Sequence, residues 1–366
     1  MIDRLFSFPG IHIQAFTRRG SLFFGASFAT MASFNNWVAM KIVATYLLCI
    51  ALLSSTNGQD SQPVVLLFAG DLVLSDHVEN FIGDDLSYVF SNWSDVGPFD
   101  VFMLNLEHPV TTSDRKVEKK FNFKMHPRYM PILQHANVSL VNLANNHIAD
   151  YGREGLEDTM HNLDSIGVRY VGVGKNINEA RTPVVIEKKG KRIAFLGYYG
   201  GGEYAATDTR SGFAPRRASI IVEDVRKVRQ QADYVVVNFH WGVERAEHPE
   251  PEQIALARRV VDAGADLIIG HHPHVLQGVE LYKGKTIAYS LGNFVFGGNS
   301  LHTYETAILR VELTDSEPVI TLVPIRIERW KAKVADGDSK QRVLRLVQER
   351  SKIFQTDNIP SKGALE

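Results

Sequence analysis

Three histidines fall within four positions in "IIGHHPHVLQG", residues 268–278, directly after an apolar run. Imidazole near neutral pH is a metal ligand, a general acid or base, or a proton shuttle. Other apolar runs also stop at groups that bind or titrate. "VVLLFAGD" closes on Asp71 and "DVFMLNLE" on Glu107. "VSLVNLANNH" closes on Asn146 and His147, "DYVVVNFHWG" carries His240, and "TIAYSLGNF" carries Asn293. Carboxylates, an amide and imidazoles are oxygen and nitrogen donors that suit one or two divalent ions of Mn, Zn or Fe. Two carboxylates and several imidazoles can serve two ions about 3.5–4 Å apart, one carboxylate bridging, an arrangement that supports in-line displacement by water.

Spacing refines the assignment. In extended chain, residues i and i+2 share a side. His272 and His274 have that spacing, and Pro273 biases His272 away from the helical region. Both rings are therefore expected on one side, one for each ion, with His271 turned away as a packing or supporting residue. Asn146 can donate an amide oxygen to metal. His147, the next residue, points differently and suits protonation of a leaving group. Glu244, Gln277 and Asn293 are expected on the wall of the site, in contact with substrate. Trp241 fits either that wall or the core, and Asp150 and Tyr151 are expected to cap the following helix. "GYYGGGEY", residues 197–204, lacks P-loop spacing and is expected as a mobile loop near the site.

The elements that must position these groups are strands. Continuous apolar, β-branched runs indicate strands buried on both faces. Helical patterns lie between them, over residues 153–166 and 251–263. Such alternation predicts an α/β architecture, in which sites form beyond the carboxyl ends of the strands. Any one of these polar groups taken singly fits a turn or a cap; their recurrence at six run ends indicates a convergent site.

The rest of the sequence sets limits. The 366 residues are 45% hydrophobic and 22% charged, an ordinary globular composition. The net charge of −1, without a nucleic-acid-like basic block, predicts no nucleic-acid partner. Residues 40–58 have one lysine, an apolar run from Ile42 to Leu53 and small polar residues, the layout of a signal peptide or N-terminal anchor. Residues 1–39 then read as an upstream extension, and export to the periplasm or cell surface is expected. Residues 1–58 carry a net +3, which leaves −4 for the rest of a chain whose total is −1. Cys49, the one cysteine, lies in the apolar run, so disulfide and thiolate chemistry are not expected downstream. Residues 59–330 read as one domain. Residues 331–366 read as a C-terminal helix or tail, with Val343, Leu344, Val347 and Phe354 on a packing face.

The stretches "GDLVLSD", "NLEHPVT", "NLANNHIADYG", "HWGVE", "GHHPHVLQGVE" and "YSLGNF" occur in the order found in bacterial capsule-synthesis, poly-γ-glutamate-synthesis proteins of CapA type. The resemblance spans residues 64–329. That family resembles the calcineurin-like metallophosphoesterases, so it implies a four-layer α/β/β/α sandwich. It also implies roles: Asp71, Asn146, His240, His272 and His274 as metal ligands, Glu107 in the bridging position, and His147 as general acid. Val73 departs from the superfamily's Asp-x-His, which leaves one metal position without an imidazole. Two functions fit. One is a metal-dependent hydrolase acting on a phosphoester or on an amide of a γ-linked polymer. The other is an accessory protein that binds or anchors the anionic polymer or a capsule synthase membrane complex without turnover.

Overall fold

The computed structural model describes residues 6–8, 11–18, 21–28, 62–75, 77–298 and 301–354. The expected signal segment, Cys49 and residues 355–366 lie outside the described residues. The chain divides into two units, Met1–Ser61 and Gln62–Glu366. In the first, β1 (Phe6–Phe8), β2 (Ile11–Arg18) and β3 (Ser21–Phe28) form an antiparallel meander, with Ile11 opposite Phe28.

In the second unit the strands run β4 (Val64–Val73), β5 (Val101–Leu106), β6 (Leu140–Asn142), β7 (Arg169–Val171), β8 (Val173–Gly174), β9 (Val184–Lys188), β10 (Lys191–Tyr199) and β11 (Gly212–Phe213). They continue as β12 (Tyr234–His240), β13 (Leu267–His271), β14 (Val279–Tyr282), β15 (Lys285–Ala288), β16 (Asn293–Phe296), β17 (Thr303–Leu313), β18 (Val319–Glu328) and β19 (Lys331–Val334). One sheet has the order β19-β18-β17-β4-β5-β6-β7, with β16 also paired to β4. The other has the order β14-β15-β13-β12-β10-β9. The centres β4-β5-β6-β7 and β10-β12-β13-β15 are parallel, so their carboxyl ends fall together.

Side chains alternate between layers with period two. Leu66, Phe68 and Met103 of the first sheet share a core with Phe195, Val236, Leu267 and Ile269 of the second. The intervening residues face outward to helices. Leu67, Phe102 and Leu104 meet Leu133, Leu156 and Met160; Val235, Val237 and Ile268 meet Ile221, Val225 and Val260. Helix Gly152–Ser165 buries Leu156, Thr159, Met160 and Leu163, the stripe of an amphipathic helix. Each large apolar side chain so buried contributes about 1.5–3 kcal/mol. The result is the four-layer α/β/β/α sandwich. Helix Gly337–Ser351 inserts Val343, Leu344 and Val347 into the inter-sheet core, and Phe354 stacks on Tyr289 at 4.9 Å.

One connection joins the two sheets at the carboxyl ends. The apolar run through residues 286–294 is not one strand. β15 ends at Ala288, and the chain crosses to the first sheet, where Asn293 begins β16 opposite Asp71. The crossing passes between two glycines. A Cβ on Gly70 would lie 1.9 Å from the Gly292 carbonyl oxygen, and one on Gly270 would lie 1.8 Å from that of Tyr289. Among the described residues, no helix is long and apolar enough to cross a membrane.

Candidate metal centre

Asp71 lies within β4, just past a register shift after Phe68, and is fully buried. Its Oδ1 accepts from Asn105 Nδ2 at 2.8 Å, and its Oδ2 accepts from the His272 backbone N–H at 3.2 Å. Glu107 follows β5 and is also fully buried. Its backbone N–H donates to Leu72, and Oε1 has no hydrogen-bond partner. His240 closes β12, with Nε2 2.6 Å from Asn146 Oδ1 and 3.5 Å from Glu107 Oε1. His274 Nδ1 lies 3.3 Å from Asp71 Oδ2, and its Nε2 lies 3.9 Å from Glu107 Oε1.

Two sets of ligand atoms therefore adjoin: Glu107, His240 and His272 in one; Asp71, Glu107 and His274 in the other. Within each set the atoms lie within 4.8 Å of one another, and Glu107 belongs to both. A third set joins exposed Glu244 to His272 and His274. The donors fit a divalent cation. Glu107 Oε1, both ring nitrogens of His271 and His272 Nδ1 are buried without hydrogen-bond partners. Such orphans cost about 1–3 kcal/mol each unless something satisfies them, and a cation does so for lone pairs.

The histidine stretch corrects the local expectation. The rings of His272 and His274 do approach, with centroids 5.8 Å apart, but not through extended chain. β13 stops at His271, and His272 and His274 have φ of 97° and 59°. Left-handed backbone at two non-glycine residues is uncommon and strained. Nor is His271 turned away: its Nδ1 lies 3.5 Å from Asp71 Oδ1.

His147 stands beside these sets. Its Nδ1 is 2.7 Å from Asp150 Oδ2, and Phe123 packs on the ring at 4.5 Å. Asp150 does not cap the helix. Its carboxylate takes His147, the Phe123 backbone N–H at 2.7 Å and Lys119 Nζ at 2.6 Å. The cap position is Tyr151, whose side chain makes no capping bond. Trp241 is a core residue, stacked on Phe239 at 4.5 Å with Nε1 donating to the Tyr289 carbonyl. Gln277 is buried, and its amide donates to the Ala246 carbonyl at 2.8 Å, steadying the loop that carries Glu244. Asn293 Oδ1 lies 2.9 Å from His274 Nδ1 and fixes that ring. The stretch expected as a loop from residue 197 is strand as far as Tyr199, the last residue of β10, whose ring meets His240 edge-on at 5.6 Å.

Several groups escaped the sequence reading. Asn105 is the hub: Nδ2 reaches Asp71 and Glu107, while Oδ1 accepts from Asn142 and Asn145 at 2.9 and 3.3 Å. A lone polar residue inside "VFMLNL" was its signal. His108 is fully buried with Nε2 unpartnered, and burial pushes it down to about 4. Val73, in the position expected to lack an imidazole, packs with Phe123 and Phe296, and Phe296 meets His274 edge-on at 5.0 Å.

The electrostatics follow from burial and neighbours. Burial raises the Asp71 carboxyl, but His271 and His274 outweigh it and hold it well below the usual range. Glu107 is pushed well above that range by burial and by the Asp71 charge. Burial, then the neighbouring histidines, press His240 well down and His272 to about 4. Burial also opposes charge on His274, yet Glu107 and Asp71 raise it to about 9. Burial lowers His147, against the pull of Asp150.

With this geometry fixed, similarity to known proteins can be placed. The family described as bacterial capsule synthesis protein PGA_cap matches residues 65–298, a span that holds every residue of the two ligand sets. The chain belongs to this family. The capsule biosynthesis protein CapA of Bacillus anthracis is 33% identical, over 88% of this chain and 80% of its own. The PGA biosynthesis protein CapA of Bacillus subtilis is 31% identical, over 85% and 86%. A probable polyglutamine synthesis accessory protein of Mycobacterium tuberculosis is 28% identical, over 70% and 73%. A solved 5′-nucleotidase from Candida albicans aligns with a TM-score of 0.43 at 10% identity, over 81% of this chain and 59% of its own, too remote to bear on activity.

Proposed function

We propose that this PGA_cap protein is an exported, metal-dependent hydrolase of a capsule-polymer synthesis system, acting on a phosphoester or on an amide of a γ-linked polymer. The observation that carries this reading is His147, held by Asp150 beside two ligand sets that share Glu107. A divalent ion of Mn, Zn or Fe there would supply Lewis acidity and neutralise charge developing on the substrate. Asp71, Glu107, Asn146, His240, His272 and His274 would hold one or two such ions. The chain's own groups do the rest. Asp150 Oδ2, 2.7 Å from His147 Nδ1, fixes the ring and favours its doubly protonated form, whose Nε2–H would be the proton given to the leaving group. Asn105 orients both carboxylates. Glu244, exposed and grouped with His272 and His274, would meet substrate. The apolar run of residues 42–53 supports export.

The second reading is an accessory protein that binds or anchors the polymer or its synthase. Similarity to the probable polyglutamine synthesis accessory protein of Mycobacterium tuberculosis favours it. One experiment separates them: metal content and turnover on an ester and amide panel, wild type beside His147→Ala. Retained metal with turnover reduced about 10²–10⁴-fold is expected. Wild-type protein that holds metal yet turns over nothing would leave the accessory role.

A further inference from the structure

Two ligand sets lie deep, and an ion has to reach them. Asp71, Glu107 and His240 are fully buried, whereas His272 and His274 are half-buried. His272 belongs to the set with Glu107 and His240, and His274 to the set with Asp71 and Glu107. The two rings are thus the solvent-facing members of the two sets, one in each. Glu244 completes a third set with both of them: one carboxylate oxygen and one nitrogen from each ring lie within 4.8 Å of one another.

Exposed carboxylates are common, but this one is held in place. The Arg245 backbone N–H donates to the Pro273 carbonyl at 2.8 Å, which ties the turn carrying Glu244 to the turn carrying the two rings. Arg245 has φ of 64°, left-handed like His272 and His274, so three non-glycine residues on two joined turns keep strained backbone. The bond from the Gln277 amide to the Ala246 carbonyl braces the same turn. We propose that Glu244, His272 and His274 form an outer divalent-cation position, a port at which the ion is first caught and from which it passes inward to either buried set.

The shared rings make the passage continuous. An ion leaving Glu244 keeps His272 on its way to Glu107 and His240, or His274 on its way to Asp71 and Glu107, so it is never without a protein ligand. Each ring has two nitrogens for such an exchange, and His272 Nδ1 is buried without a hydrogen-bond partner. A carboxylate at the mouth also raises the local concentration of cations. A second approach runs through the cavity of about 520 Å³ lined by Asn146, Glu118 and Glu203, but among the described residues neither of those acids joins a ligand set. The inference rests on the metal-dependent reading of the site and gives Glu244 a step that comes before any substrate.

The test mixes the full chain, stripped of metal by a chelator, with Zn²⁺ and a chromophoric zinc indicator that follows uptake; calorimetric titration gives Kd. Wild type is expected to take up the ion. Glu244→Gln is expected to slow uptake about tenfold while Kd moves by less than about twofold, because a position on the path alters entry and release alike. Glu244→Asp keeps the charge but draws the carboxylate back by one methylene, and an intermediate rate is expected. Glu203→Gln, on the other approach, is expected to match wild type. Unchanged uptake in Glu244→Gln would overturn the inference. So would a wild-type rate in Glu244→Asp, which would leave only long-range attraction, or slowing by Glu203→Gln alone, which would move the entrance to the cavity. A weakened Kd at unchanged uptake would make Glu244 a ligand of the final centre and equally remove the port. Wild type that takes up no ion would instead sink the metal-dependent reading itself, and the port with it.

Discussion

The two sheets bring different chemistry to one place. The first supplies oxygen: Asp71 from β4, Asn105 from β5, Glu107 from just after β5, Asn146 from the loop after β6. The second supplies nitrogen: His240 from β12, and His271, His272 and His274 from β13 and beyond. Alone, neither half is comfortable. Burial, and after it the neighbouring Asp71 charge, drives Glu107 up. Buried imidazoles resist protonation, which is why His240 and His272 are driven down. His274, facing both carboxylates, binds a proton instead. A divalent cation between the sheets answers both halves at once, and the packing of the sheets is what creates its position.

That contrast can be broken most heavily by removing the cation. At an ion concentration a thousandfold above Kd, binding adds about 4 kcal/mol to stability, and a chelator should remove it, as read by denaturant unfolding. Next, Glu107→Gln takes the shared charge from both sets. Metal affinity is expected to fall by more than about 100-fold in calorimetric titration, beyond what loss of a supporting residue costs. Asn105→Ala leaves every ligand in place but frees both carboxylates, and a loss of about 10–100-fold is expected. An unchanged affinity there would mean that the carboxylates need no common support.

The smallest effect sharpens the contrast instead of breaking it. In the metal-free protein the raised pKa of His274 gives stability that is fully present below the ordinary imidazole value. It is lost as pH rises through about 9. Because the ion must displace that proton, binding at pH 8 should release about one proton, and affinity should fall by at most about tenfold per unit as pH drops below 9. Titration in buffers of different ionisation enthalpy measures this. No released proton would place His274 outside the ligand set.

Much of this was legible in the sequence because a buried strand ending in Asp, Glu or His is an unusual juxtaposition. The residues the structure gathers, Asp71, Glu107, Asn146, His240, His272 and His274, were all visible that way. What escaped depends on backbone that side-chain patterns do not encode. The left-handed turns at His272 and His274 looked like extended chain because proline stands between them. Asn293 looked like a strand end because the run from Thr286 is continuous in hydropathy, although the chain changes sheets within it. Asp150 looked like a cap because carboxylates before helices commonly are caps. Only the tertiary position of Lys119 and Phe123 shows that it serves His147 instead.

The crossing of residues 289–292 between Gly70 and Gly270 also sets an order in time. The ligands are separated by as much as the interval from Asp71 to His274, and the peptide that joins their two strand ends is made later still. Loop closure on that scale is slow and precedes any reward from the contacts it permits. A chain still being synthesised would therefore offer an ion no complete site, and loading would await the finished sandwich.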